Sequence, residues 1–100
     1  MNYLLEILPD ALADIEETAE WYETQQSGLG SDFAHTVIAA IESLSESPLI
    51  YQIRERRRAV RWFLSPRFPH RIVYRIRDNV VTVFAVLHTA RHEREWRRRL

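Results

Sequence analysis

His88 and Arg91 stand three residues apart, directly after the most apolar stretch of the chain, Val80 to Leu87. An imidazole with an ordinary pKa of about 6.5 can take or give a proton near neutrality. A guanidinium beside it suits an anion held by paired hydrogen bonds. The competing role for His88 is structural, fixing a strand-to-helix turn. His35 falls on a helix and His92 in the tail, so neither joins His88 in a metal-binding constellation, and the absence of cysteine removes any thiolate site. No metal and no cofactor are expected. A second concentration of charge, Arg54, Glu55, Arg56, Arg57 and Arg58, is either a solvated loop or part of a binding surface with the strand that follows.

The elements that position these residues follow from periodicity. Tyr3 to Ile7 is a short apolar run stopped by Pro9, which predicts a first strand, and Pro9-Asp10 opens a helix. Leu12, Ile15, Ala19 and Tyr22 form its apolar stripe, with Asp14, Glu16, Glu17, Glu20 and Glu23 placed off it. Tyr22 fits the stripe, which leaves Trp21 as an exposed aromatic. A turn through Gly28 and Gly30 leads to a second helix, capped by Ser31 or Asp32 and running to Ser47-Pro48. Leu49 to Arg58 is irregular. Three strands then follow: Ala59 to Leu64, His70 to Arg77, and Val81 to His88. In the middle one Ile72, Tyr74 and Ile76 face one way, Arg71, Val73, Arg75 and Arg77 the other. Asp78-Asn79 makes the hairpin turn. The last strand is apolar on both faces and so belongs inside the sheet. Thr89 to Leu100 is a short basic helix carrying Trp96. The expected architecture is α+β, in the order β-α-α-β-β-β with a short C-terminal helix. The helical hairpin packs on a largely antiparallel sheet whose other face is open to partners.

One hundred residues make one domain, 1–100, and the balance of apolar and charged residues is that of a folded globule. No stretch approaches the roughly 20 apolar residues of a membrane helix and no targeting segment leads the chain, so a cytoplasmic protein without membrane contact is expected. The net charge of zero hides a division: residues 1–50 carry −10 and residues 51–100 carry +10. Such a dipole steers acidic partners to one end. Every cation is arginine, the side chain suited to bidentate contact with carboxylate or phosphate. For any single arginine the alternative is pairing with a helix acid of the same chain.

Phe68-Pro69-His70-Arg71-Ile72-Val73-Tyr74-Arg75-Ile76 resembles the Phe-Pro-Tyr-Arg-Ile-Val-Tyr strand of the RelE/ParE toxin superfamily. Val83 to Arg91, with Trp96 after it, resembles the ParE-type ending of an apolar strand, His-x-x-Arg and a tryptophan. The resemblance spans the chain and implies the toxin of a type II toxin–antitoxin module, neutralised by a cognate antitoxin with an acidic amphipathic segment. It makes Arg71, Arg75, Arg91, Arg58 and Arg61 candidate partner or anion contacts. RelE-like members cut ribosome-bound mRNA, a reaction that needs proton carriers and fixed cations. On that reading Arg71, Arg75 and Arg91 hold phosphate while His88 or Glu55 moves protons. The RelE set resembles lysines and arginines with a C-terminal tyrosine, whereas this chain has no lysine and its last tyrosine is Tyr74, inside a strand. ParE-like members instead poison DNA gyrase and lack that set, so the departures favour gyrase over ribosome and mRNA. The third reading is a nucleic-acid-binding module without toxicity.

Overall fold

In a computed structural model that describes residues 2–100, the chain runs β1 (Leu4–Ile7), α1 (Pro9–Gln25), α2 (Leu29–Glu42), a 3-10 turn (Ser43–Ser45), β2 (Ile53–Glu55), β3 (Val60–Leu64), β4 (His70–Arg77), β5 (Val80–His88) and α3 (Arg94–Arg97). The sheet order is β1-β5-β4-β3-β2. All pairs are antiparallel except β1 with β5, which the helical hairpin makes parallel by carrying the chain back over the sheet. Among the described residues no helix is long and apolar enough to cross a membrane.

Pro9 sits at the start of α1, where its missing N–H costs nothing, and Asp10 adds a carboxylate to the first turn. The buried stripe differs from the expected one by a small rotation. Ala11, Asp14 and Ile15 are buried, while Leu12 is 42% exposed. The second helix starts at Leu29, before the expected cap at Ser31 or Asp32. Glu23 explains the difference, because its carboxylate accepts from the N–H groups of Gly28 (2.9 Å) and Gly30 (3.0 Å) and so does the capping. Gly28 takes the left-handed turn at φ 88°. Gly30 lets the helices touch: a Cβ there would lie 2.3 Å from the carbonyl oxygen of Ala19.

The stretch expected to be irregular contains β2, three residues that pair with the start of β3. Its pairing comes from the turn rather than from an alternating pattern. The Glu55 carboxylate accepts from the Arg58 N–H at 2.9 Å, and Ala59 enters β3 with φ 55°. Asp78 and Asn79 both have positive φ, as a two-residue hairpin with this twist requires.

β5 is an interior strand, and it carries a bulge: Val73 faces Ala85 while the next residue, Tyr74, faces Val83. The extra residue resets the alternation, so Val81, Val83 and Val86 point to the helices and Phe84, Ala85 and Leu87 to the far side. Two apolar cores result. The helix-side core joins Phe33, Val37 and Ile41 of α2 to Ile72 and Tyr74. The smaller far-side core gathers Val60, Val73, Phe84 and Leu87 around Trp96. The far face is therefore only partly open, since the tail covers its β5 end. α3 itself is a single turn, shorter than the tail helix expected from Thr89 onward.

Candidate functional site: an arginine–tryptophan face and a histidine cleft

The alternation of β4 sends Arg71 to the far face. Its guanidinium carbon lies 4.6 Å from the centre of the Trp62 ring, and Arg54 of β2 lies 4.0 Å from the same ring. At these distances the charges are attracted to the ring and held in place by it. Arg71 also donates to the carbonyl of Thr89 at 3.2 Å, which orients it toward the end of β5. Exposed Leu64 stands opposite Arg71 across the β3–β4 pair. Arg75 lies on the same face four residues along, half-buried. Cations interleaved with an indole and an exposed leucine form a surface able to take both the carboxylates and the apolar side chains of an amphipathic segment.

The other candidates go elsewhere. Arg61 turns to the helix side, where it donates to the backbone carbonyl of Tyr51. Arg58 is exposed at the β2–β3 turn, 3.8 Å from Glu55. Glu55 is buried and engaged in shaping that turn. It stands opposite Val60 at one end of β3, while Arg71 stands opposite Leu64 at the other, roughly 13 Å away along the strand. His88 faces the helices. It pairs across the sheet with His70, ring centres 5.2 Å apart, at a cleft of about 520 Å³ also lined by Glu17, Trp21, Tyr22 and Arg91. The residues of the nuclease reading are thus divided: His88 and Arg91 on the helix-side cleft, Arg71 on the opposite face, Glu55 at the far end of the sheet.

His88 also serves the local chain. Its Nδ1 accepts from the Ala90 N–H at 2.9 Å and its carbonyl accepts from the Arg91 N–H at 2.9 Å, which together make the turn out of β5. With Nδ1 engaged as an acceptor, the neutral ring carries its proton on Nε2. Its neighbour His70 is 3% exposed, and its Nδ1 is buried without a partner. Burial first, and then the nearby His88, push its pKa down to about 4. Tyr74, the last tyrosine, is fully buried, donates to the Pro48 carbonyl at 2.5 Å, and has its pKa pushed up by burial to about 12. Trp21 is exposed, while Tyr22 packs against Phe33 and Phe68. Among the described residues no group of three or more histidine or acidic side chains is arranged to hold a metal ion.

Sequence reasoning missed two contributors. In the sequence His70 shows only as part of a strand motif, although its register partner is His88. Asp14 was grouped with the surface acids of α1, yet it is buried and accepts from the Val86 N–H at 2.8 Å and from Arg99 at 2.6 and 3.0 Å. The hydrogen bonds to Asp14 raise the pKa of Arg99. Asp14 lies between Ala11 and Ile15 on the helix, but nothing local marks it off from its acidic neighbours, because its partner Arg99 is far along the chain. Among the described residues only this pair and Asp32–Arg67 (3.8 Å) join the acidic half to the basic half, so most of the arginine excess is not neutralised internally.

This architecture is shared with solved toxin structures. The chromosomal ParDE toxin–antitoxin system from P. aeruginosa aligns with a TM-score of 0.78 at 12% identity, over 86% of this chain and 95% of that one. A variant of E. coli toxin RelE in the free state aligns with a TM-score of 0.64 at 21% identity, over 100% and 99%. A RelBE toxin–antitoxin complex from Mycobacterium tuberculosis aligns with a TM-score of 0.59 at 22% identity, over 88% and 99%. No curated protein matches the chain. The helical hairpin on a mixed five-stranded sheet is therefore a RelE/ParE toxin fold. Residues 5–93 match the family described as the ParE toxin of type II toxin-antitoxin system, parDE, and the chain belongs to that family.

Proposed function

We propose that this ParE-family toxin arrests growth by binding and inhibiting DNA gyrase, and that a cognate antitoxin neutralises it by laying an acidic amphipathic segment across the Arg54–Trp62–Arg71 face. One observation carries the choice over mRNA cleavage: the nuclease set does not come together on one phosphate, since Arg91 shares a cleft with His88 but Arg71 stands on the opposite face of the sheet. His88 faces the helices, Glu55 is held in the β2–β3 turn, and Tyr74 is buried. In-line attack on a phosphodiester needs an acid and a base within hydrogen-bond reach of one phosphate. Inhibition by binding needs only a complementary surface. The arginine–tryptophan stack, with Leu64 beside it, supports that kind of contact, and the uncompensated charge of the basic half supports an acidic partner.

Expression in growing cells tests the target. Blocked replication with an induced DNA-damage response, and translation continuing, is the expected outcome. Immediate arrest of translation without DNA damage contradicts it. For the antitoxin, the toxin should prefer an acidic amphipathic peptide over its charge-reversed version, with affinity falling as salt rises. No preference at moderate salt removes that part of the proposal.

A further inference from the structure

The cleft where the C-terminal half of α1 meets the ends of β4 and β5 lies on the opposite face from the arginine–tryptophan stack, and the gyrase reading makes no use of it. Its volume, about 520 Å³, is that of a small-molecule site. Its composition is also of that kind. Trp21 stands at its wall 58% exposed, on a helix whose surface is otherwise mostly acidic. It is braced edge-on by Tyr22 at 5.1 Å, so the indole is backed by packed structure on one side. Two donors line the same cleft. Arg91 is exposed and lines the cleft, and His88, with Nδ1 taken up by the Ala90 N–H, offers Nε2–H. Glu17 lines the same cleft and supplies an acceptor. His70 lines it as well, a buried imidazole with an unpartnered Nδ1.

We propose that this cleft binds a nucleoside phosphate, its base stacked on Trp21, its phosphate held by Arg91 and His88, and its hydroxyl or amino groups donating to Glu17. The combination selects the ligand. A simple anion would use Arg91 but would be repelled by Glu17 and leave the indole bare. An apolar side chain from a protein partner would cover Trp21 and leave the donors and the carboxylate without partners in a desolvated site, which is costly. A nucleotide has a π-face, an anion and several donors in one rigid unit, and stacking on an aromatic accepts any base. Burial lowers the pKa of His70 to about 4, so it lines the cleft as a neutral hydrogen-bonding group rather than a third cation. The same chemistry is offered by a free mononucleotide and by the terminal nucleotide of a polynucleotide.

The test is titration of the isotopically labelled full chain, followed by NMR, with AMP and UMP, with adenosine and ribose 5-phosphate as partial ligands, and with a short single-stranded oligonucleotide bearing a terminal phosphate. Saturable shifts of the Trp21 indole and Ala90 amide signals are expected with the mononucleotides or with the oligonucleotide. Comparable affinity for both assigns the free nucleotide as the source, and binding of the oligonucleotide alone assigns a polynucleotide end. Trp21→Ala and Arg91→Ala should each weaken binding at least about fivefold. Both residues are exposed, and retained spectral dispersion verifies that each variant folds. Glu17→Gln should weaken AMP and UMP and leave the binding of inorganic phosphate, titrated as a control, unaffected. The proposal is overturned if none of these ligands saturates in the millimolar range, if ribose 5-phosphate binds as well as AMP, or if Trp21→Ala binds like the parent. It is equally overturned if the cleft signals respond to an acidic peptide and not to nucleotides. None of these results depends on gyrase being the target.

Discussion

Replacing Asp14 should damage this domain far more than replacing any other acid of α1. β1 covers the outer edge of β5 only as far as Val83, and beyond it the Val86 N–H is met by Asp14 instead of a strand. Asp14 is 9% exposed and the Arg99 side chain 21%. Asp14→Ala leaves the Val86 N–H buried and unpaired, at about 1–3 kcal/mol, and removes charge-assisted bonds each worth about 1.5–3 kcal/mol when fully desolvated. Arg99 is partly exposed and still reaches the Phe84 carbonyl at 3.1 Å, so much of the second contribution is screened. The sum is about 3 kcal/mol, at the lower end of the range for breaking a buried ion pair. For a domain of this size each kcal/mol shifts the melting temperature by about 4–8 °C, so a fall of roughly 12 °C or more is expected. Asp14→Asn keeps an acceptor for Val86 and should lose about half as much. Thermal and urea unfolding of Asp14→Ala, Arg99→Ala and the double variant give the coupling, expected at about 1 kcal/mol or more. A melting temperature for Asp14→Ala within about 3 °C of the parent, or full additivity of the two substitutions, refutes the reasoning.

Three other outcomes are expected. The pKa of His70 is lowered from 6.5 to about 4 on folding, so the unfolded chain binds more protons between those values. Stability should then fall as pH drops from 6.5 through 4, by up to roughly 3 kcal/mol. Urea midpoints at pH 7 and 4.5 check this, and His70→Gln should flatten the difference between them. Trp96→Ala, which empties a position only 3% exposed, should cost about 3–5 kcal/mol in urea unfolding. An unchanged stability would mean that the tail does not anchor the far-side core. Gly30→Ala places a Cβ against the Ala19 carbonyl and should cost about 1–3 kcal/mol by separating α1 from α2, whereas a neutral result would show that the hairpin can relax.

The elements with strong periodicity were legible in the sequence: α1, β4, the Asp78-Asn79 turn and the doubly apolar β5 all stand where their patterns place them. What could not be read was set by contacts distant along the chain. β2 has three residues and no pattern, and exists because Glu55 closes a turn. The cap of α2 is a glutamate from the preceding helix, invisible to a search for local Ser or Asp. Asp14 looks like its acidic neighbours until Arg99, far along the chain, is brought to it. The bulge in β5 puts two neighbouring residues on one face, so alternation alone could not assign Phe84 and Ala85 to the same side. For the candidate site, Arg71 and its strand were recognisable, and so were His88 and Arg91. Their division between two faces was not, because it depends on strand register and on the turn after His88.

Inhibition of gyrase by binding, rather than cleavage of mRNA, is tested most directly by one comparison with purified toxin. Supercoiling by gyrase is measured beside primer extension on ribosome-bound mRNA. Dose-dependent loss of supercoiling, weakened in Arg71→Ala, with no position-specific cuts in the message, is the expected result. Position-specific cuts that vanish in His88→Ala, with supercoiling untouched, would contradict it and make this protein an endoribonuclease.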